Sequence, residues 1–425
     1  MSSTVDIRPA EGPLAASLYV HVPFCLVKCA YCDFHSAPLA DEPELGHHFA
    51  WAAGEASAHW AALGALDDVE SIYVGGGTPT TLRGSLVTLL EWVRASTHLR
   101  PNAEVTVETN PDTTERAIVS RLVGAGVNRF SLGVQSFDDR VLATLGRSHT
   151  AAAAREALEL LVGTGARVSV DLMCGVPGQT LGSWHETLRC AVEAGVGHLS
   201  VYPLTLEAGT PLDRAVSAGG VRPPDDDLAA EMLRMAEDAL CGAGLRRYEV
   251  ASYARPGEES VHNTGYWTGR AYIGVGPSAS SMLPATLFAR AIACEAWSDP
   301  EVAGVGRTLD RVPEHASRVR FARSADTASF VRRPAGPPED VEYLSEQEAL
   351  AEDAMLGMRL AGGISDDLVA AAGVGRALDG LAARGLVEHV DRFWRVTDIG
   401  WLLGNEVFAE IWHAGSRRDE PWHSL

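Results

Sequence analysis

The feature that most constrains this chain is an alternation of short β-branched runs with longer Ala- and Leu-rich segments through its first half. The runs are Ser17–Val22, Ser71–Val74, Glu104–Glu108, Arg129–Val134, Val168–Met173 and His198–Tyr202. The longer segments are Pro43–Leu63, Leu82–Ser96, Thr114–Gly124, Ala151–Thr164, Thr180–Ala194 and Asp225–Gly242. Strands separated by helices of this length cannot pair as hairpins and build βα units around a parallel sheet. Six such units predict an α/β fold: an open, partial (β/α)6 barrel. In barrels of this kind chemistry gathers at the C-terminal ends of the strands.

Polar and glycine-rich residues stand where that rule places chemistry. A cysteine loop follows the first run, Gly75–Gly76–Gly77–Thr78–Pro79 the second, and Glu108–Thr109–Asn110–Pro111 closes the third. Gln135–Ser136–Phe137 ends the fourth, Asp171 lies in the fifth ahead of Gly175–Val176–Pro177–Gly178, and Tyr202–Pro203 ends the sixth.

Beyond the barrel the pattern changes. Residues 1–16 read as a loose polar arm, 17–285 as the barrel with its extension, and 286–344 as a connecting segment. Residues 345–415 read as a winged-helix-like α+β module and 416–425 as a tail. DNA is the usual partner of such a module, but a net charge of −21 argues against a phosphate backbone and for packing or protein docking. No apolar run reaches membrane-spanning length and no signal-peptide pattern opens the chain, so stable membrane insertion is not expected. Cys174, Cys190, Cys241 and Cys294 are too scattered for a disulfide framework, which places the chain in the reducing cytoplasm.

The remaining cysteines carry chemistry. Cys25, Cys29 and Cys32 form a C-x3-C-x2-C loop directly after the first strand. Three thiolates on one short loop can bind three irons of a cubane cluster and leave the fourth open. His35 follows Cys32 at x2 spacing, so a closed Cys3His zinc site is the competing reading of the loop alone. The Gly75–Gly77 run lets backbone approach a ligand closely, though Gly-rich turns are also common as plain turns. Glu108 offers an acceptor for hydroxyl or ammonium groups, Arg147 a fork for a carboxylate, and Gln135 an amide. Asp171, in an otherwise apolar run, needs a ligand or a partner, and Arg147 is a candidate for the latter.

These motifs together resemble the radical S-adenosylmethionine enzymes. The carrying residues are the cysteine loop with Tyr31, the GGGTP turn, Val107–Pro111, Gly133–Phe137, and Asp171 with Gly175–Thr180. More narrowly they are similar to the oxygen-independent coproporphyrinogen III oxidase-like family and its heme chaperone branch, from about Tyr19 to Trp412. The resemblance implies a [4Fe–4S] cluster on Cys25, Cys29 and Cys32 whose open iron chelates S-adenosylmethionine, reductive cleavage of which yields a 5′-deoxyadenosyl radical. It also implies that Tyr19, Tyr31, Gly76, Gly77, Thr78, Glu108, Gln135, Arg147 and Asp171 line the cosubstrate, and that a protein partner donates electrons.

Two functions divide the family. Its dehydrogenases, which decarboxylate coproporphyrinogen III propionates to vinyls, carry a further cysteine two places after the third and a longer N-terminal arm. Here Phe34 occupies that place and about two dozen residues precede the loop, as in the branch that binds heme and delivers it to hemoproteins. His262–Asn263–Thr264–Gly265–Tyr266–Trp267 is similar to the H-N-x-x-Y-W element of that branch, which implies His262 as a heme ligand. The competing reading makes it a capped turn in which His262 bonds backbone and Tyr266 and Trp267 are core. Where relatives tend to read G-x-G-A-H-S, this chain has Gly276–Pro277–Ser278–Ala279–Ser280–Ser281, replacing a glycine and a histidine.

Overall fold

The computed structural model describes residues 15–39, 43–293 and 311–416. Most of the expected N-terminal arm, Cys294, and the tail beyond Ser416 lie outside them. Six strands follow one another in parallel: β1 (Ala15–Val22), β2 (Asp68–Gly76), β3 (Leu99–Thr109), β4 (Arg129–Gln135), β5 (Arg167–Cys174) and β6 (His198–Pro203). Helices Pro43–Ala62, Gly84–Ala95, Arg116–Gly124, Ala151–Val162 and Leu181–Glu193 lie between them, and Asp226–Gly242 follows the sixth. Threonines start two of these helices: Thr150 accepts from the Ala153 N–H, and Thr180 forms a capping box with Ser183.

The sheet does not close. Beyond β6 it continues antiparallel through β8 (Ser252–Ala254) to β7 (Arg246–Arg247). On the other side β1 pairs in parallel with β9 (Tyr272–Val275), followed by antiparallel β10 (Ser280–Pro284), β11 (Ala316–Ala322) and β12 (Asp340–Ser345). The result is a twelve-stranded open sheet. The stretch read as a connecting segment, 286–344, therefore supplies β11 and nearly all of β12 to the main sheet.

Alternation along the six parallel strands splits them into two faces. Leu18, Val20 and Val22, Ile72 and Val74, Val105 and Val107, and Phe130, Leu132 and Val134 are buried in one continuous apolar core. The alternate positions hold Ser17, Tyr19 and His21, Ser71 and Tyr73, Glu104 and Glu108, Arg129 and Ser131, Ser169 and Asp171, and His198 and Ser200. Register brings these level across strands: Tyr19 beside Tyr73, Glu108 beside Ser131, and Asp171 beside Ser200. One face of the barrel wall is thus a connected polar surface, and it gives Asp171, alone in an apolar run of sequence, polar neighbours across the strands.

From Ser345 the chain forms helices Glu346–Gly357, Asp366–Ala372 and Gly375–Ala383, a hairpin of Val387–Val390 with Phe393–Val396, and helices Asp398–Leu402 and Gly404–Ser416. A short strand, Ile364–Ser365, adds to the hairpin. This segment has its own core, with Met355, Met358, Leu378, Leu381, Val407 and Ile411 at its centre.

Candidate cosubstrate and cluster site

The cysteine loop is held by its neighbours on all sides. Phe24–Cys25 pairs with Ala37–Pro38, Ala30 donates to the Leu145 carbonyl at 2.9 Å, and Leu212 donates back to the Ala30 carbonyl at 2.8 Å. Tyr31 packs against a small apolar cluster of Val141 and Leu145 from the helix after β4, Met173 at the end of β5, and Leu212 from the helix after β6. His21 Nε2 meets the His35 carbonyl at 2.8 Å, and its Nδ1 meets the Tyr19 hydroxyl at 3.0 Å. Tyr19 and His21 thus anchor the far side of the loop.

Two of the thiols receive directed hydrogen bonds. Thr78 Oγ1 lies 3.7 Å from Cys25 Sγ, and Arg147 Nη1 lies 3.3 Å from Cys29 Sγ. Asn110 joins the two: its Nδ2 donates to Thr78 Oγ1 at 2.8 Å, and its Oδ1 accepts from Arg147 Nη2 at 2.7 Å. Thr113 and Thr114 each donate a hydroxyl proton to the Asn110 carbonyl, which fixes its backbone. Arg147 Nη2 also reaches the Gly133 carbonyl at 2.6 Å, while the buried Nε has no partner. Asn110 is the residue that sequence reasoning quoted in a motif and left out of the site. A side-chain amide directly after the end of the strand, two places beyond Glu108, was the available signal.

The glycine turn spends its N–H groups within the protein. The Gly76 N–H donates to Glu108 Oε2 at 3.1 Å, Gly77 to the Val22 carbonyl at 2.8 Å, and Thr78 to the Phe24 carbonyl at 2.6 Å. These N–H groups brace the cysteine loop against β2 and are not presented to a ligand. Glycine is required here sterically: a Cβ on Gly77 would stand 2.5 Å from the Phe24 carbonyl and 3.0 Å from Cys25 Sγ.

Around the turn lie the other expected cosubstrate residues. Tyr73 donates to Glu108 Oε1 at 2.7 Å, and burial pushes the Glu108 carboxyl up to about 7, with Asp171 adding to the rise. Asp171 accepts from Ser131 at 3.1 Å, and burial raises its carboxyl as well. It does not take Arg147 as its hydrogen-bond partner: Nη1 faces Cys29 and Nη2 faces Asn110 and Gly133, while Nε keeps a free N–H. Gln135 ends β4 with φ at +66°, a conformation that costs a non-glycine residue about 1–3 kcal/mol and recurs at ligand sites. A Cβ on Gly133 would stand 2.7 Å from Asn110 Oδ1 and 3.1 Å from Gln135 Nε2, so glycine keeps these side chains together.

This arrangement fits a [4Fe–4S] cluster with S-adenosylmethionine. Three thiols share one loop, a guanidinium faces one of them, and a buried guanidinium N–H remains unpaired beside the loop. A cubane asks each thiolate for a different iron. The Cys3His zinc reading asks for convergence on one ion, which no three His, Cys, Asp or Glu side chains show among the described residues.

The residue expected as a heme ligand is placed elsewhere. His262 is 1% exposed, and both imidazole nitrogens are engaged, with Ser71 Oγ and the Tyr266 hydroxyl at 2.9 Å each. The imidazole is held internally, but by the side chains of Ser71 and Tyr266 and not by backbone as the capped-turn reading has it. Ser281, in the departing motif, accepts from the Gly274 N–H at 2.9 Å, and Ser278 takes φ of +57° where relatives tend to carry glycine.

An open run of parallel βα units with a three-cysteine loop after its first strand defines the radical S-adenosylmethionine class, and the model of the Radical SAM superfamily matches residues 19–191. The chain is 32% identical over 408 residues to the heme chaperone HemW of Escherichia coli K12, covering 92% of this chain and 96% of that one. It is 30% identical over 406 residues to the Bacillus subtilis protein of the same name, covering 92% and 98%. The Mycobacterium tuberculosis H37Rv heme chaperone HemW is 41% identical over 273 residues, 63% of this chain and 70% of that one. Coproporphyrinogen III oxidase (HemN) from E. coli shares the fold, with TM-score 0.75 over 95% of this chain and 91% of that one at 20% identity. The chain belongs to the HemW family of radical S-adenosylmethionine proteins.

Proposed function

We propose that this protein is a cytoplasmic heme chaperone. It binds heme and delivers it to acceptor hemoproteins, while Cys25, Cys29 and Cys32 hold a [4Fe–4S] cluster and Glu108, Gln135, Arg147 and Asp171 hold S-adenosylmethionine. The match to E. coli HemW over nearly the whole of both chains carries the reading, joined to an intact cysteine loop. When bound, the cluster supplies an electron to the sulfonium. This chain's residues orient the cosubstrate carboxylate at Arg147 and its hydroxyls at Glu108, and Tyr31 and Tyr19 close the loop around them.

The division into a barrel with its extension (17–285) and a winged-helix-like module (345–415) belongs to the same proposal. The module is read as a docking surface for an acceptor or an electron donor protein, and its separate core supports treating it as a unit.

The alternative is oxidative decarboxylation of coproporphyrinogen III. Phe34, two places after Cys32 and 69% exposed, stands where the dehydrogenase pattern has cysteine. The test is anaerobic incubation of cluster-loaded protein with coproporphyrinogen III, S-adenosylmethionine and a strong reductant. No vinyl product is expected from protein whose cluster is intact and reducible. Vinyl porphyrin forming with 5′-deoxyadenosine would make the protein a dehydrogenase.

A further inference from the structure

His262 opens the helix Val261–Trp267, and the base of that helix is fixed in the barrel wall. Glu104 accepts from the N–H groups of Val261 and His262 at 3.1 Å each, and Ser260 Oγ accepts from Asn263 at 3.3 Å. Glu104 is in turn held by Arg167 at 2.9 Å and Arg129 at 3.9 Å. A buried carboxylate at a helix N-terminus, paired to two guanidiniums, makes a rigid foundation.

The imidazole then spans the wall. Ser71 Oγ donates to Ser17 Oγ at 2.8 Å, so it accepts from His262 Nδ1, and Nε2 is left to accept from the Tyr266 hydroxyl. Burial holds the imidazole down to about 4, in keeping with this neutral tautomer. The lone pair an iron would need is the one Tyr266 covers. The ring stacks on Tyr73 with centroids 5.0 Å apart and planes at 27°, and Tyr73 donates to Glu108 Oε1. Tyr19 completes a triangle of rings, 6.2 Å from Tyr73 and 6.3 Å from His262. At the far end of the helix, the Arg359 guanidinium lies 5.0 Å over Trp267 and 4.8 Å over Phe408 of the last helix.

We infer that His262 is a positioning residue of the cosubstrate pocket: it sets Tyr73, and through Tyr73 the Glu108 carboxyl, and its helix is an internal strut rather than a heme-ligating arm. The inference rests on the reading of Glu108 as a cosubstrate contact. The strut runs from the pocket to the C-terminal module, so the H-N-T-G-Y-W residues serve both ends by packing.

The test uses the full chain with its cluster reconstituted, comparing wild type with Tyr73→Phe, His262→Ala, the double variant and His262→Asn. S-adenosylmethionine affinity is measured by equilibrium binding, hemin by Soret titration, and stability by thermal unfolding. Each of the first two variants is expected to weaken S-adenosylmethionine by about 10-fold, the range of a hydrogen bond to a charged group. The double variant should bind no more weakly than the weaker single, and His262→Asn, which restores a donor to Ser71, should recover part of the loss. Hemin binding should match wild type in all four.

General destabilisation lowers the melting temperature but does not produce this non-additivity. Additive losses, or wild-type cosubstrate affinity in His262→Ala, would overturn the inference. So would a lost Soret band with cosubstrate affinity intact, which would make His262 the axial ligand. If His262→Ala does not fold, Tyr73→Phe against Ser71→Ala makes the same comparison. Wild type that binds S-adenosylmethionine but no hemin sinks the chaperone reading alone, whereas wild type that binds no S-adenosylmethionine sinks the pocket reading and this inference together.

Discussion

Arg147 donates to Cys29 Sγ at 3.3 Å while its other terminal nitrogen is clamped by Asn110 and Gly133. The clamp fixes the guanidinium before any ligand arrives, which lowers the ordering cost of binding a carboxylate. Arg147→Met should keep iron and sulfide content near wild type and weaken S-adenosylmethionine by about 10- to 100-fold, from a lost charged hydrogen bond of about 1.5–3 kcal/mol. Asn110→Ala should give a smaller loss in the same direction. Iron and sulfide analysis beside a binding isotherm separates the two effects, and a cluster-free Arg147→Met protein would contradict the assignment.

Glu108 makes stability depend on pH in a definite direction. Its carboxyl is raised to about 7 in the fold, above the unfolded value near 4.5, so the folded state binds more protons between those limits. The associated stability is present below about pH 4.5 and is lost as pH rises through 7. Glu108→Gln should remove this slope and be the more stable protein above pH 7, by on the order of 2 kcal/mol. Urea unfolding of both proteins without cofactors at intervals from pH 4.5 to 8 checks it. Parallel curves would show that Glu108 is not raised.

Ser278 sits at φ of +57°, a region that glycine occupies without a Cβ penalty. Ser278→Gly should therefore stabilise the protein by about 0.5–1 kcal/mol, the strain relieved outweighing the added freedom of the unfolded chain. Denaturant unfolding measures this. A destabilised variant would mean that the serine side chain contributes more than its backbone costs.

The C-terminal module is latched to the main sheet by charge. Arg318 on β11 binds both carboxylate oxygens of Asp353 at 2.7 and 2.9 Å and reaches Glu352 at 3.3 Å; Arg320 also binds Glu352. Glu352 keeps Arg320, but Asp353 is largely buried and takes both its hydrogen bonds from Arg318, so removing that cation strands it. Arg318→Met should cost about 3 kcal/mol, and adding Asp353→Leu should restore much of that. Thermal or urea unfolding of the two variants decides it, and a neutral single variant would show that the latch is solvated.

The parallel βα units were legible because their strands are rich in Val, Ile and Leu and their helices in Ala and Leu, both local signals. The polar wall was not legible, because Ser17–Tyr19–His21 and Ser71–Tyr73 sit in runs that each read as β-branched strands, and only register assembles the surface. β10, β11 and β12 pair as consecutive antiparallel neighbours at one edge of the sheet, but Pro337 and Pro338 between β11 and β12 gave the look of a linker. His262 was ambiguous for a chemical reason. An imidazole with tyrosine and tryptophan nearby suits an axial site and a buried hydrogen-bonded network equally, and the deciding partner, Ser71, is 191 residues away. Cys25, Cys29 and Cys32 needed no such help, since their spacing on one loop is itself the geometry.

Heme transfer tests the central claim most directly. Protein loaded with one equivalent of hemin is mixed with an apo-hemoprotein, and the acceptor's Soret spectrum and activity are followed against free hemin at the same concentration. The account predicts that the acceptor gains heme from the loaded protein and that the donor's Soret band falls in step. Hemin retained by the protein with no gain in the acceptor, or transfer no different from free hemin, would contradict it.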